Sequence, residues 1–200
     1  AAAVPTRTGL AQSECAPVLA SRILNFEVGS TSTKFGKLEF TGGLELQSDT
    51  AGFGGFSALR LYPDRNSLIA MSDRCMVLTA SLVRDVTGAL DDVKNAMLRP
   101  LPPDASGRAL QKSRHTDCET LDVADGKAFV AFERNSQTGR FTIGADGELT
   151  QFAPVWPKPG IGKLDSNRGI EAMAVFPAPS RFAGSILSIS ELTLNADGNH

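Results

Sequence analysis

Three positions that could carry chemistry recur at the start of apolar runs in this chain: Ser57 in GGFSAL, Glu119 in DCETLDV and Glu171 in NRGIEAMAVF. They lie 62 and 52 residues apart, and each opens the same order of apolar run, turn and second apolar run. The second runs end in Asp73-Arg74, Glu133-Arg134 and Ser190-Glu191, whose acids stand at offsets of 16, 14 and 20 from those starts. Carboxylates gathered in one place repel one another unless they are protonated, paired with arginine or bridged by a cation. The functional reading is a hard-metal site, Ca²⁺ or Mg²⁺, with oxygen ligands from Asp73, Glu119, Glu133, Glu171 and Glu191. Such an ion binds a phosphate oxygen and sharpens a water nucleophile, while Arg74, Arg134 or Arg168 neutralises charge developing on a phosphoester. The catalytic candidates are then Glu119, Glu171, Arg74 and Arg134. The plainer reading is that acids and arginines pair across neighbouring units, Asp73 with Arg134 for instance, and stabilise the packing.

Elements that bring such positions together must repeat as the residues do. Hairpins recurring every 50 to 60 residues are the sequence sign of an all-β array, a β-propeller of four-stranded antiparallel blades. In a propeller the first strand of each blade lines the central channel, so equivalent offsets converge on one axis. The first blade reads as ALRLY and SLIAMSD around the turn Pro63-Asp64-Arg65-Asn66, then strands over 76–83 and 89–98. The apolar spacing of LDDVKNAML also allows a short helix over 90–98. In the second blade Asp125-Gly126 joins LDVA to AFVAFE, a strong hairpin signal, and strands follow over 139–143 and 149–152. The third has IEAMAVF, SILSISE and LTLN. Residues 1–52 read as an irregular N-terminal arm with outer strands over 22–28 and 35–47, and 53–200 as about three blades, the last incomplete. The turn at Asp197-Gly198 has no fourth strand after it, so the expectation is a piece of a longer or cleaved chain, the remaining blades coming from elsewhere. A self-contained β-sandwich with coincidental hairpins is the alternative.

Composition narrows the partners. A formal net charge of −2 and a pI of about 5.7 give no basic field to hold nucleic acid. No apolar run reaches the roughly 18 residues a membrane helix needs. The opening AAAVPTR is consistent with a mature chain cleaved at a small-residue site, pointing to a secreted or periplasmic protein. Cys15, Cys75 and Cys118 allow one disulfide and a free thiol in an oxidising compartment, or three reduced thiols in a cytoplasmic one. Cys75 and Cys118 sit at strand ends and are the candidate pair. Other motifs are weak. His115 and His200 are the only histidines, there is no G-x-S-x-G elbow or C-x-x-C, and the glycines of AGFGGF precede a strand instead of a helix.

GGFSAL…LIAMSDR, DCETLDV…AFVAFER, NRGIEAMAVF and LTLNADGNH together resemble the bacterial phytase-like family, the esterase-like activity of phytase domain, from about Phe53 onward. The resemblance implies a secreted or periplasmic propeller of six-bladed type, of which this chain would supply roughly half. It also implies phosphoesterase or phosphodiesterase activity on a small-molecule phosphoester. The positions it carries over are Asp73, Arg74, Glu119, Glu133, Arg134, Glu171 and Glu191. Two function classes remain: a metal-dependent phosphoester hydrolase, and a non-catalytic propeller that binds a ligand or protein and keeps a structural metal or cross-blade salt bridges.

Overall fold

The computed structural model describes residues 14–103, 107, 117–132, 137–156 and 170–190. Among them every regular element is a β-strand, and the sheets are antiparallel. The first large sheet is built from four consecutive strands, β6 (Phe56–Leu61), β7 (Ser67–Ser72), β8 (Met76–Arg84) and β9 (Leu90–Pro100). A two-residue strand, β1 (Glu14–Cys15), adds to its outer edge, giving the order β1-β9-β8-β7-β6. The second repeats the plan with β10 (Cys118–Ala124), β11 (Lys127–Phe132), β12 (Gln137–Ile143) and β13 (Leu149–Trp156). Among the described residues the third sheet is the pair β14 (Ile170–Val175) and β15 (Ile186–Ser190), and the strand expected at LTLN lies outside them. Upstream, β2 (Leu19–Ile23) pairs with β5 (Gly43–Gln47), and β3 (Lys34–Phe35) with β4 (Leu38–Glu39).

Turn chemistry sets these hairpins. Asp125 and Gly126 both take positive φ, 48° and 70°, the left-handed pair that a two-residue hairpin needs to match strand twist. At the β6–β7 turn the Asp64 carboxylate accepts the Asn66 and Ser67 backbone N–H groups, each at 2.9 Å.

Packing follows from which faces are apolar. Strand β7 is buried on both sides, so SLIAMS reads as a continuous run without alternation. Ile69, Met71 and Val77 face the second sheet and meet Leu121, Val130, Phe132 and Phe141 in the largest core. Leu68, Ala70, Leu78 and Leu98 face the other way and are covered by Ala16, Val18, Phe53 and Phe56. On its far side the second sheet packs Phe129 and Ala131 against Ile170, Met173 and Val175. Strand β10 therefore lies between the first strands of its two neighbours.

The strand expected over 89–98 is present as β9, and the helical alternative for 90–98 falls. One expectation changes. The strand expected over 22–28 ends at Ile23, and its register is fixed by pairing with β5 from Leu19↔Gln47 to Ile23↔Gly43. No sheet closes on itself among the described residues.

Candidate functional site

The first strand of each unit carries the same defect at the same place. Phe56 pairs with Ser72 and Ala58 with Met71, so Ser57 is an extra residue opposite a single step of β7. Cys118 pairs with Phe132 and Thr120 with Ala131, leaving Glu119 as the extra residue. Ile170 pairs with Ser190 and Ala172 with Ile189, leaving Glu171. A bulge of this kind re-aims a side chain that regular pleating would send into the core, and bulges concentrate beside functional sites. The three positions aligned by sequence spacing are thus structurally equivalent.

The β7–β8 turn sits against the first two bulges. The Asp73 N–H donates to the Gly55 carbonyl at 2.9 Å, and the Asp73 carbonyl accepts from the Cys118 N–H at 3.1 Å. The Ser57 hydroxyl donates to the Cys118 carbonyl at 2.7 Å. Gly55, with φ of +62°, leaves room for Asp73, whose Oδ1 would stand 2.8 Å from a Cβ added there. Cys75 and Cys118 form a disulfide across the same junction, with Cα atoms 5.3 Å apart and both residues fully buried. Asp73, Ser57 and the Glu119 bulge are therefore brought together by backbone and disulfide. Asp73 and Arg74 are exposed, Glu119 is half-buried and Glu171 is exposed. Glu133, Arg134, Arg168, Glu191, His115 and His200 lie outside the described residues.

A polar link that the charge pattern did not single out ties all three first strands. Arg60 Nε donates to Asp122 Oδ1 at 2.7 Å, and Arg60 Nη2 donates to the Met173 carbonyl at 3.1 Å. Asp122 Oδ2 accepts the Val175 N–H at 2.6 Å. Asp122 is 8 % exposed and would be a costly buried charge without these partners. The only sequence trace of the pair is a shared offset, three residues after Ser57 and Glu119, which does not by itself say that the two meet.

The acids suit a hard cation by donor type, yet among the described residues no three His, Cys, Asp or Glu side chains come together as a metal-holding group. Asp73, Glu119 and Glu171 do not by themselves fit such an ion. A separate cleft of about 670 Å³ opens between the first two sheets, lined by Tyr62, Thr79, Asn95 and Arg99 and by the β12–β13 turn. Arg99 bridges it to Asp146 at 3.0 Å. Burial, and then the nearby Asp64 carboxylate, push the Tyr62 phenol pKa up. None of the acids singled out by the sequence lines this cleft.

Consecutive antiparallel sheets, each led by a bulged strand and joined through those strands, define an all-β repeat protein. Residues 51–200 match the phytase-like family, described as esterase-like activity of phytase, and the chain belongs to that family. No curated protein and no solved structure matches it.

Proposed function

We propose that the chain is part of a phytase-like β-propeller of six-bladed type that hydrolyses phosphate esters of small molecules. The observation that carries this reading is the repeated bulge at Ser57, Glu119 and Glu171, supported by membership of the family. In the proposed reaction a water oxygen bonds to phosphorus as the bond to the leaving oxygen breaks. One of Glu119 and Glu171 takes the water proton, and solvent water returns a proton to the leaving group. Arg74 and Arg134 neutralise charge on the phosphoryl oxygens. Asp73, Glu133, Glu191 and the glutamate that does not take the proton would hold Ca²⁺ or Mg²⁺, which would supply charge neutralisation at a phosphoryl oxygen. Residues left exposed on the flanking strands, Leu59 and Leu61 of β6 and Leu187 and Ile189 of β15, support further sheets as neighbours. The Cys75–Cys118 disulfide supports a periplasmic or secreted location.

The test is turnover of p-nitrophenyl phosphate and bis(p-nitrophenyl) phosphate by the full chain. Glu119→Gln and Glu171→Gln are each expected to lower kcat by roughly 10²- to 10⁴-fold with an unchanged circular dichroism spectrum. Full activity in both variants removes these acids from the site. The second reading, a non-catalytic binding module, is favoured by the Arg60–Asp122 pair, which shows that an acid and an arginine pair between neighbouring sheets. No turnover of either ester by the unaltered protein selects it.

A further inference from the structure

We propose that Arg60 and Asp122 are positioning residues that set the spacing of the three bulges, an inference that rests on the reading of those bulges as the reactive site. The pair sits three residues along from Ser57 and Glu119, roughly 10 Å down the strands at the usual rise. It is built to fix distances between strands. Asp122 Oδ1 accepts both Arg60 Nε, at 2.7 Å, and the Val123 N–H, at 2.8 Å, while Oδ2 takes the Val175 N–H of β14 at 2.6 Å. The guanidinium spans from β6 across β10 to the Met173 carbonyl of β14 at 3.1 Å, and its Nη1 returns to the Leu59 carbonyl at 3.2 Å.

Apolar contact alone would let such sheets slide, because burial is non-directional. A planar fork held on a buried carboxylate is directional, and only one relative placement of the three strands satisfies every bond. Strands β6, β10 and β14 carry Ser57, Glu119 and Glu171 at their bulges, so the placement chosen by the pair is transmitted along each strand to those residues. The disulfide and the Ser57–Cys118 bond secure only the first two units. The Asp122–Val175 and Arg60–Met173 bonds extend the restraint to the third.

The experiment compares the full chain with Asp122→Asn and Arg60→Lys. The first keeps shape but loses charge and one acceptor; the second keeps charge but loses the fork. Two readouts are taken: amide hydrogen exchange at Val175 and along β14, and kcat and KM on p-nitrophenyl phosphate. Positioning predicts exchange at least tenfold faster at Val175 in Asp122→Asn, and kcat lower by roughly 10- to 100-fold with KM within about threefold. Arg60→Lys should fall between that variant and the unaltered protein. Unchanged exchange in both variants overturns the proposal, as does faster exchange with unchanged kcat. A rise in KM at constant kcat also overturns it, because it assigns the pair to substrate binding. If the unaltered protein turns over no ester, the functional reading fails separately, and the exchange result alone decides whether the pair holds the strands.

Discussion

Asp85 closes the β8–β9 hairpin as a carboxylate: Oδ1 accepts the Thr87 N–H at 2.8 Å and the Ala89 N–H at 3.1 Å, and Oδ2 meets Arg22 at 3.1 Å. The Thr87 hydroxyl first, then the Thr87 amide, with smaller help from the Ala89 amide and Arg22, lowers its pKa to about 2. The unfolded carboxyl titrates near 3.9, so the folded state binds fewer protons between these values. Its contribution is complete above about pH 4 and is lost as pH falls through about 2. Asp85→Asn should therefore be less stable than the unaltered protein at pH 6 and indistinguishable from it near pH 2 in urea titrations. An equal gap at both pH values would show that the charge is irrelevant. Side chains of this kind were only partly legible. The Asp-x-Thr-Gly turn and the tripled Ser57, Glu119 and Glu171 positions can be read from spacing, whereas Arg60 and Asp122 look like ordinary alternating polar residues until their strands are side by side.

The helical alternative for 90–98, which the structure rejects in favour of the expected strand, has a local cause. Residues 90–98 offered apolar positions at 90, 93, 97 and 98, which mimic a helical period. In β9 the register slips on either side of Asp92–Lys94, and Asn95 takes φ of 54°. Those bulges break the period of two, so Val93, Ala96 and Leu98 are all buried at uneven spacing. Pairing of the first two units is reinforced by a disulfide whose partners are 43 residues apart in sequence. Chain-entropy arithmetic for a loop of that length gives roughly 4 kcal/mol. The Cys75→Ala/Cys118→Ala double variant should lose about 2–4 kcal/mol in denaturant unfolding, with a smaller loss of β signal than of cooperativity at the sheet 1–sheet 2 junction. A loss below about 0.5 kcal/mol would mean that the core of Ile69, Met71, Phe132 and Phe141 holds the junction alone.

For the molecule as a whole the decisive quantity is whether the acids at the first strands bind a cation. A ligand that binds only the folded state raises its stability by mass action, about 2.7 kcal/mol at a hundredfold excess over Kd. For a chain of this size that is a rise in thermal midpoint of roughly 5–10 °C. The expected outcome is such a rise with Ca²⁺ or Mg²⁺, reversal by chelation, and its absence in at least one of Glu119→Gln and Glu171→Gln. No shift with either ion would return the acids to ion pairing between units. The all-β class, the four-strand units, their turns and the equivalence of Ser57, Glu119 and Glu171 were settled by sequence alone, because hairpin turns and apolar runs act over a few residues and repeat at a measurable period. That the first strands of successive units lie side by side, that Cys75 bonds Cys118, and that Arg60 and Asp122 join three strands were decided only by tertiary structure. Those contacts span 43 to 113 residues, and no local rule carries information over such a distance.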